Sequence, residues 1–450
     1  MKPNPLIFRE YDVRGTVDKD LTEKVVEHLG KAYGTYIRRL GYKEVVIGRD
    51  GRLSSPKLKE VLVKGILSTG CNVTDVGVCP TPVVYFSIFH LDKEGGIAVT
   101  GSHNPPEYNG FKICAGKETL FGEQIQKLRK IMEKEDYEKG QGDYKTYDII
   151  PDYLDFLNKN IRIERKHKVV IDAGNGVAGI VALPAFEGKG CEVMPLYCEI
   201  DGNFSHHFPD PTVIENLKDL IDTVKKERAD VGFAYDGDGD RLGVVDENGN
   251  ILWGDQLLII FSRDILKEHP GAKIIGEVKC SQLLFEDIAH HGGKPIMWKV
   301  GHSVIKNKLK EEKALLAGEM SGHLFFADRF FGFDDAVYAS LRFLEIIDKT
   351  GKKPSELISD LPKTYYTPEI RIPCPDEIKF DVVKKAQEYF SKHFNTVTID
   401  GVRIILDDGW ALIRSSNTQP VLVLRFEAQS EKRLDEIRKM VEEKLKEFMG

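Results

Sequence analysis

KVVIDA (168–173) and, further along, VGFAYDGDGDR (231–241) are the pair on which the fold turns. The first is a short apolar run, rich in β-branched residues, that stops at a loop and a helix, as a buried parallel strand does. The second is another strand, and it runs straight into a polar loop. The same pair recurs upstream as EVVIG (44–48) and GIAVTGSHNP (96–105), and downstream as AKIIGEV (272–278) and ALLAGEMSGH (314–323). One pattern met three times, with no repeat at residue level, predicts three related α/β domains with mixed or mostly parallel sheets and helices on both faces. From about Tyr365 the pattern changes to strand, helix (381–392), strand, WALIRSS (410–416), VLVLRFEA (421–428) and helix (431–448). That is a smaller C-terminal α+β domain with antiparallel pairing. Pro-containing stretches near 148–151, Gly249–Asn250 and 362–375 mark the boundaries, which gives domains at 1–148, 149–250, 251–363 and 364–450. Open α/β sheets bind ligands at the carboxyl ends of their strands, so the polar loops predict one shared central cleft.

At 450 residues the chain is too long for a single core, and 41% hydrophobic with 30% charged residues is an ordinary globular composition. A net charge of −7 argues against a nucleic-acid partner while leaving room for local basic pockets. Seven cysteines without a C-x-x-C pair read as reduced thiols. MKPNPLIFREYDVRG has no signal-peptide pattern, and LLIIF (257–261) is far short of a membrane span. The expected compartment is the cytoplasm, with no membrane partner.

Four loops carry chemistry. In TGSHNPPEYNGFK (100–112), Ser102 follows a strand on a loop stiffened by two prolines, a place for a nucleophile or for a plain polar turn. An acyl-transfer triad is disfavoured because the G-x-S-x-G elbow is missing and adjacent His103 is badly placed to serve its neighbour. In DGDGDR (236–241), Asp236, Asp238 and Asp240 can converge three hard oxygen ligands on Mg²⁺ or Ca²⁺. The spacing mimics an EF-hand, with Glu247 at the twelfth position, but Arg241 stands where the turn glycine belongs and both flanks read as strands. In GEMSGH (318–323), Glu319, Ser321 and His323 suit sugar hydroxyls, and a capped helix start is the plainer alternative. In RSSNTQP (414–420), Arg414 leads into hydroxyls, an amide and backbone N–H groups suited to a phosphate, or into a simple β-turn. Gly174-Asn-Gly176-Val-Ala-Gly179 matches a dinucleotide fingerprint, but Asp172 would face the pyrophosphate. A tight turn with close helix packing is the preferred reading there, and His206-His207 is read as structural.

Together, and in this order, the four loops resemble the α-D-phosphohexomutases over essentially the whole chain, with GEMSGH most like the phosphomannomutase/phosphoglucomutase branch. The resemblance implies three similar α/β domains and a smaller fourth around a cleft. It implies a phosphoserine at Ser102, Mg²⁺ held by Asp236, Asp238, Asp240 and a Ser102 phosphate oxygen, and sugar hydroxyls read by Glu319 and Ser321 near His323. Arg414, Ser416, Asn417 and Thr418 would clamp the non-reacting phosphate, while Arg9, Arg14, Arg241, Lys279 and His302 match cleft positions. Lys112, His323 and Arg14 are the candidate bases. The implied reaction interconverts mannose or glucose 1- and 6-phosphates, with glucose 1,6-bisphosphate or mannose 1,6-bisphosphate as intermediate and activator. The competing readings are a phosphoglucosamine mutase, a non-catalytic sugar-phosphate sensor, and a dehydrogenase resting on the glycines.

Overall fold

The computed structural model describes residues 2–416 and 420–449 and contains four sheets. The first three share a motif. Strand Glu44–Arg49 pairs in parallel with Asn72–Val78 on one side and Gly95–Val99 on the other, and Gly95–Val99 turns back into antiparallel Tyr108–Ala115. In the second sheet Lys168–Asp172 is flanked in parallel by Glu192–Leu196 and Val231–Tyr235, and Val231–Tyr235 turns back into Leu242–Asp246. The third has Lys273–Glu277 between Lys294–Trp298 and Leu316–Gly318, with Leu324–Phe326 antiparallel beside the last. The fold is therefore mixed α/β, and each polar loop is a hairpin turn between a parallel strand and its antiparallel neighbour. GEMSGH accordingly leads into a strand rather than a capped helix.

These hairpin strands are buried on both faces, which accounts for their unbroken apolar runs. One core runs through the first three domains. Below the aspartate loop, Phe233 packs tilted against Phe186 (centroids 5.4 Å) and edge-on against Phe343 (6.1 Å), and Phe343 meets Phe261 edge-on at 6.2 Å. Each such ring contributes about 1.5–3 kcal/mol by leaving water, so the strand ends rest on a stiff base.

The fourth sheet is antiparallel, built from six strands including Val402–Leu406, Gly409–Ser415 and Val421–Ala428, and packs on helices Asp376–His393 and Glu431–Met449. It has its own core, with Phe390, Ile404, Phe426 and Val441, and meets the third domain across a small apolar patch of Val278, Trp410 and Leu412. None of the described cysteines is disulfide-bonded. Among the described residues no helix is long and apolar enough to cross a membrane.

Candidate active site

Ser102 sits at the tip of the first hairpin, 2% exposed, with φ of +50°. This left-handed backbone swings its side chain across to the second domain, where Oγ–H donates to Asp236 Oδ2 at 2.8 Å. The same turn brings His103 Nδ1 to 3.1 Å from Ser102 Oγ. The two neighbours therefore do meet, against the expectation from their adjacency. Burial, with Arg241 nearby, holds the His103 pKa well below its ordinary value, so the ring is neutral.

The DGDGDR loop folds back on itself. Asp236 Oδ1 accepts the backbone N–H groups of Asp240 (3.0 Å) and Arg241 (3.1 Å), and Gly239 takes a φ of +74° that closes the turn. Asp236, Asp238 and Asp240 are fully buried, and one oxygen from each lies within 4.8 Å of the others. Asp238 Oδ2 accepts from Thr81 Oγ1 at 2.5 Å, and Thr81 opens the helix Thr81–His90. Lys112 Nζ bridges Asp238 Oδ2, at 2.7 Å, and Asp240 Oδ2. Burial works against the Lys112 charge, but Asp238 and Asp240 outweigh it and hold the pKa above the ordinary lysine value. Burial, then Asp240 and Asp238, push the Asp236 carboxyl well above its usual range.

One ammonium cannot balance three buried carboxylates. Asp238 Oδ1 and Asp240 Oδ1 are buried and make no hydrogen bond to any described residue. Such oxygens are costly unless a cation takes them, and an all-oxygen set suits a hard divalent ion. The residues fit Mg²⁺.

Arg241 and His323 join this centre to the GEMSGH loop: Arg241 Nε–H donates to His323 Nε2 at 3.0 Å. The opposite ring nitrogen, Nδ1, faces Asp334 Oδ2 at 2.9 Å and Asp240 Oδ1 at 3.6 Å. His323 stacks on His302 with centroids 5.6 Å apart, and His302 meets Tyr11 edge-on, which brings in the segment carrying Arg9 and Arg14. Glu319 Oε1 accepts from Gly301 N–H at 2.6 Å, and Ser321 lies beside Glu319.

Four domain families match the chain in order. They are Phosphoglucomutase/phosphomannomutase alpha/beta/alpha domain I over residues 5–139, domain II over 151–249, domain III over 253–365, and the C-terminal domain over 369–444. A phosphomannomutase/phosphoglucomutase of Pseudomonas aeruginosa is 48% identical over 441 residues, covering 98% of this chain and 95% of the relative.

The chain belongs to the phosphoglucomutase/phosphomannomutase family.

A phosphoglucomutase of Neisseria gonorrhoeae is 44% identical, covering 96% of this chain and 95% of its own. The crystal structure of a phosphoglucomutase/phosphomannomutase family protein from Burkholderia thailandensis superposes with a TM-score of 0.94 at 43% identity, covering 99% and 98% of the two chains. Within this family member the loops are linked in series. Ser102 touches Asp236, Arg241 touches His323, and Glu319 touches Gly301. Asp400 then accepts from both Val300 N–H (3.1 Å) and Arg414 Nε (3.2 Å). Arg414 and Ser416 thus stand one step beyond the GEMSGH loop, and Lys279 spans the same gap by pairing with Glu369 at 3.3 Å. Arg14 pairs with Asp12 at 2.5 Å, and Arg9, half-buried, lies near both. Asn417 and Thr418 lie outside the described residues.

The dinucleotide-like glycines have another use. A Cβ on Gly176 would meet Gly237 O at 2.8 Å, so the face a pyrophosphate needs is covered by the aspartate loop. Asp172 is held by His207 Nε2 at 3.1 Å, which supports the structural reading of that histidine. Sequence reasoning missed Thr81, Asp334 and the Asp50–Arg52 pair. Only GRDG (48–51), a turn directly after the first strand, hinted at the last of these.

Proposed function

We propose that this enzyme interconverts hexose 1-phosphates and hexose 6-phosphates, accepting both mannose and glucose. A phosphoryl group carried on Ser102 and a hexose 1,6-bisphosphate intermediate make the exchange. The observation that carries this reading is the 2.8 Å contact of Ser102 Oγ with Asp236, beside two buried carboxylate oxygens that no described residue satisfies.

In the forward step the Oγ–P bond of phosphorylated Ser102 breaks as a bond forms from phosphorus to the free sugar hydroxyl. The hydroxyl proton passes to a base. Phosphoryl transfer asks chiefly for positioning and charge neutralisation. Asp236, Asp238 and Asp240 would hold Mg²⁺, which when bound offsets the charge of the phosphoryl oxygens. Arg241 and Lys279 supply further positive charge. Each candidate base is already paired: Lys112 with Asp238 and Asp240, His323 with Arg241, and Arg14 with Asp12. The base must therefore exchange a partner as substrate arrives. The bisphosphate then turns end for end, and its other phosphoryl returns to Ser102. Arg414 and Ser416, with Asn417 and Thr418, hold whichever phosphate is not reacting, so the fourth domain loosens and closes in each cycle.

Glu319 and Ser321 read the 3- and 4-hydroxyls, where mannose and glucose agree. A site without a hydrogen bond to the 2-hydroxyl discriminates weakly there. The kcat/KM values for glucose 1-phosphate and mannose 1-phosphate are expected to differ by less than about a thousandfold, some ~4 kcal/mol. The decisive experiment is intact mass before and after incubation with glucose 1,6-bisphosphate. A gain of one phosphoryl located at Ser102 is expected, and no gain would sink the reading. A sensor lacking catalysis would be expected to lose the serine or an aspartate, and all four are in place. The cytoplasm is the proposed compartment.

A further inference from the structure

Ser102 is held in an unfavourable backbone region, and something must hold it there. The peptide atoms around it lead to one buried side chain. Arg52, 1% exposed, follows strand Glu44–Arg49 of the first sheet, and its guanidinium lies inside the serine loop. Nη2 donates to Ser102 O (2.7 Å) and Asn104 O (2.5 Å), and Nη1 donates to Pro105 O (2.6 Å) and Tyr108 O (3.0 Å). Nε donates to Asp50 Oδ2 at 3.2 Å. All five guanidinium N–H donors are thus committed, four of them to carbonyls of one loop.

Asp50, 3% exposed, orients this fork and holds the loop directly as well. Its Oδ2 also accepts Gly101 N–H (3.1 Å), and its Oδ1 accepts Arg52 N–H (3.1 Å) and Ser55 Oγ–H (2.5 Å). Gly101 leaves the space, since a Cβ there would lie 2.5 Å from Arg52 Cζ.

The open side of the guanidinium is closed by the second domain. The Phe204 ring centroid is 5.0 Å from Arg52 Cζ. Phe204 belongs to a strap tied to the glycine turn: Phe204 N–H donates to Asp201 O (2.9 Å), Asp201 N–H to Asn175 O (3.1 Å) and Asn175 Nδ2 to Glu199 O (2.9 Å). Beyond the turn, Val177 N–H donates to Gly237 O at 3.2 Å, inside the aspartate loop. A continuous path therefore runs from the metal loop through the glycine turn and Phe204 to Arg52 and the serine loop.

We infer that Arg52, oriented by Asp50 and backed by Phe204, is a positioning residue that keeps Ser102 Oγ registered on Asp236 through successive phosphoryl exchanges. The inference rests on Ser102 being the phosphoryl carrier. Every Arg52 contact with the serine loop is to a backbone carbonyl, so it affects how Ser102 presents its oxygen and not how the sugar is held. Lysine cannot replace it, because an ammonium lacks the planar fork that reaches four carbonyls at once.

The test measures steady-state kcat and KM, thermal stability, and the rate of phosphoryl uptake at Ser102 from glucose 1,6-bisphosphate by intact mass. The variants are Arg52→Lys, Asp50→Asn and Phe204→Leu. A misplacement of about 1 Å costs on the order of a hundredfold in rate. Arg52→Lys is accordingly expected to lower kcat and phosphoryl uptake together by about that factor, with KM changed less than about threefold. Phe204→Leu and Asp50→Asn should show the same split to a smaller degree, and they carry the test if Arg52→Lys does not fold. A folded Arg52→Lys enzyme with undiminished kcat overturns the inference. So do variants in which KM rises as kcat falls. No uptake in the unsubstituted protein overturns the phosphoserine reading itself, whereas normal uptake there and in all three variants overturns the clamp alone.

Discussion

At Ser102 the backbone and the side chain pull in one direction. A φ of +50° is costly for serine, but it turns Oγ toward Asp236 and brings His103 alongside. On the proposed mechanism, replacing the hydroxyl removes the phosphoryl carrier and leaves the residues proposed to hold sugar and phosphate in place. Ser102→Ala is expected to lower mutase turnover by at least about 10⁴-fold, while calorimetric affinity for glucose 1-phosphate stays within a few-fold. Unchanged turnover would remove Ser102 from the chemistry. The aspartates make a second prediction. Two of their buried oxygens, Asp238 Oδ1 and Asp240 Oδ1, accept no hydrogen bond from any described residue, so stripping divalent ions with a chelator should abolish activity. Added Mg²⁺ should restore it and raise the melting temperature, because a ligand that binds only the folded state stabilises it. A chelated enzyme with full turnover would contradict the assignment.

The loops carrying Ser102, the three aspartates and Glu319 are each a hairpin turn at the end of a parallel strand, and neighbouring turns touch at glycines. A Cβ on Gly237 would fall 2.4 Å from Ser102 O, a backbone atom that Arg52 already holds. Gly237→Ala should therefore force the metal and serine loops apart. Activity is expected to drop on the order of a hundredfold, with a stability loss of about 1–3 kcal/mol, read from kinetics and calorimetry. Away from the site, His167 ties the second sheet to the helix Ala336–Thr350, with Asp348 at 2.9 Å and Asp230 at 3.6 Å. The neighbouring Asp230 carboxylate leads in raising its pKa above the usual histidine value, against the effect of burial, and Asp348, hydrogen-bonded at 2.9 Å, adds to it. A pKa raised by folding gives stability that is complete below the unfolded value of about 6.5 and is lost as pH rises through the folded value. The melting-temperature gap between the unsubstituted protein and His167→Gln should thus be widest at pH 6 and narrow toward pH 9. A gap that is constant over that range would refute the charged pair.

Across the whole molecule, one hydrophobic core runs through the first three domains, which also keep clusters of their own, while the fourth has a separate core and meets the third through Val278, Trp410 and Leu412. Arg403 reinforces that junction. Its Nη1 donates to Val278 O and Cys280 O at 2.7 Å each, and its guanidinium stacks on Trp410 at 3.8 Å. Burial lowers its pKa to about 10, so it remains charged at neutral pH. Arg403→Ala should free the fourth domain. The expected outcome is a larger radius of gyration by solution X-ray scattering and a KM for hexose phosphate raised more than kcat is lowered. An unchanged scattering profile would place the anchor elsewhere.

The strand ends, the carboxylate loop, the serine loop and their order were legible in the amino-acid sequence alone, because local chemistry and the period of burial are written into adjacent residues. The three α/β units and the distinct last domain followed from the same periodicity. Only the tertiary structure decided that each loop is an antiparallel hairpin, that Ser102 reaches Asp236, and that Arg52 holds four carbonyls of the serine loop. It also decided that the glycine turn packs against the aspartate loop, which covers the face a nucleotide would need. The physical reason is that hydrophobic pattern specifies which face is buried but not against which partner. These contacts join residues far apart in the chain, and packing of whole domains sets their register.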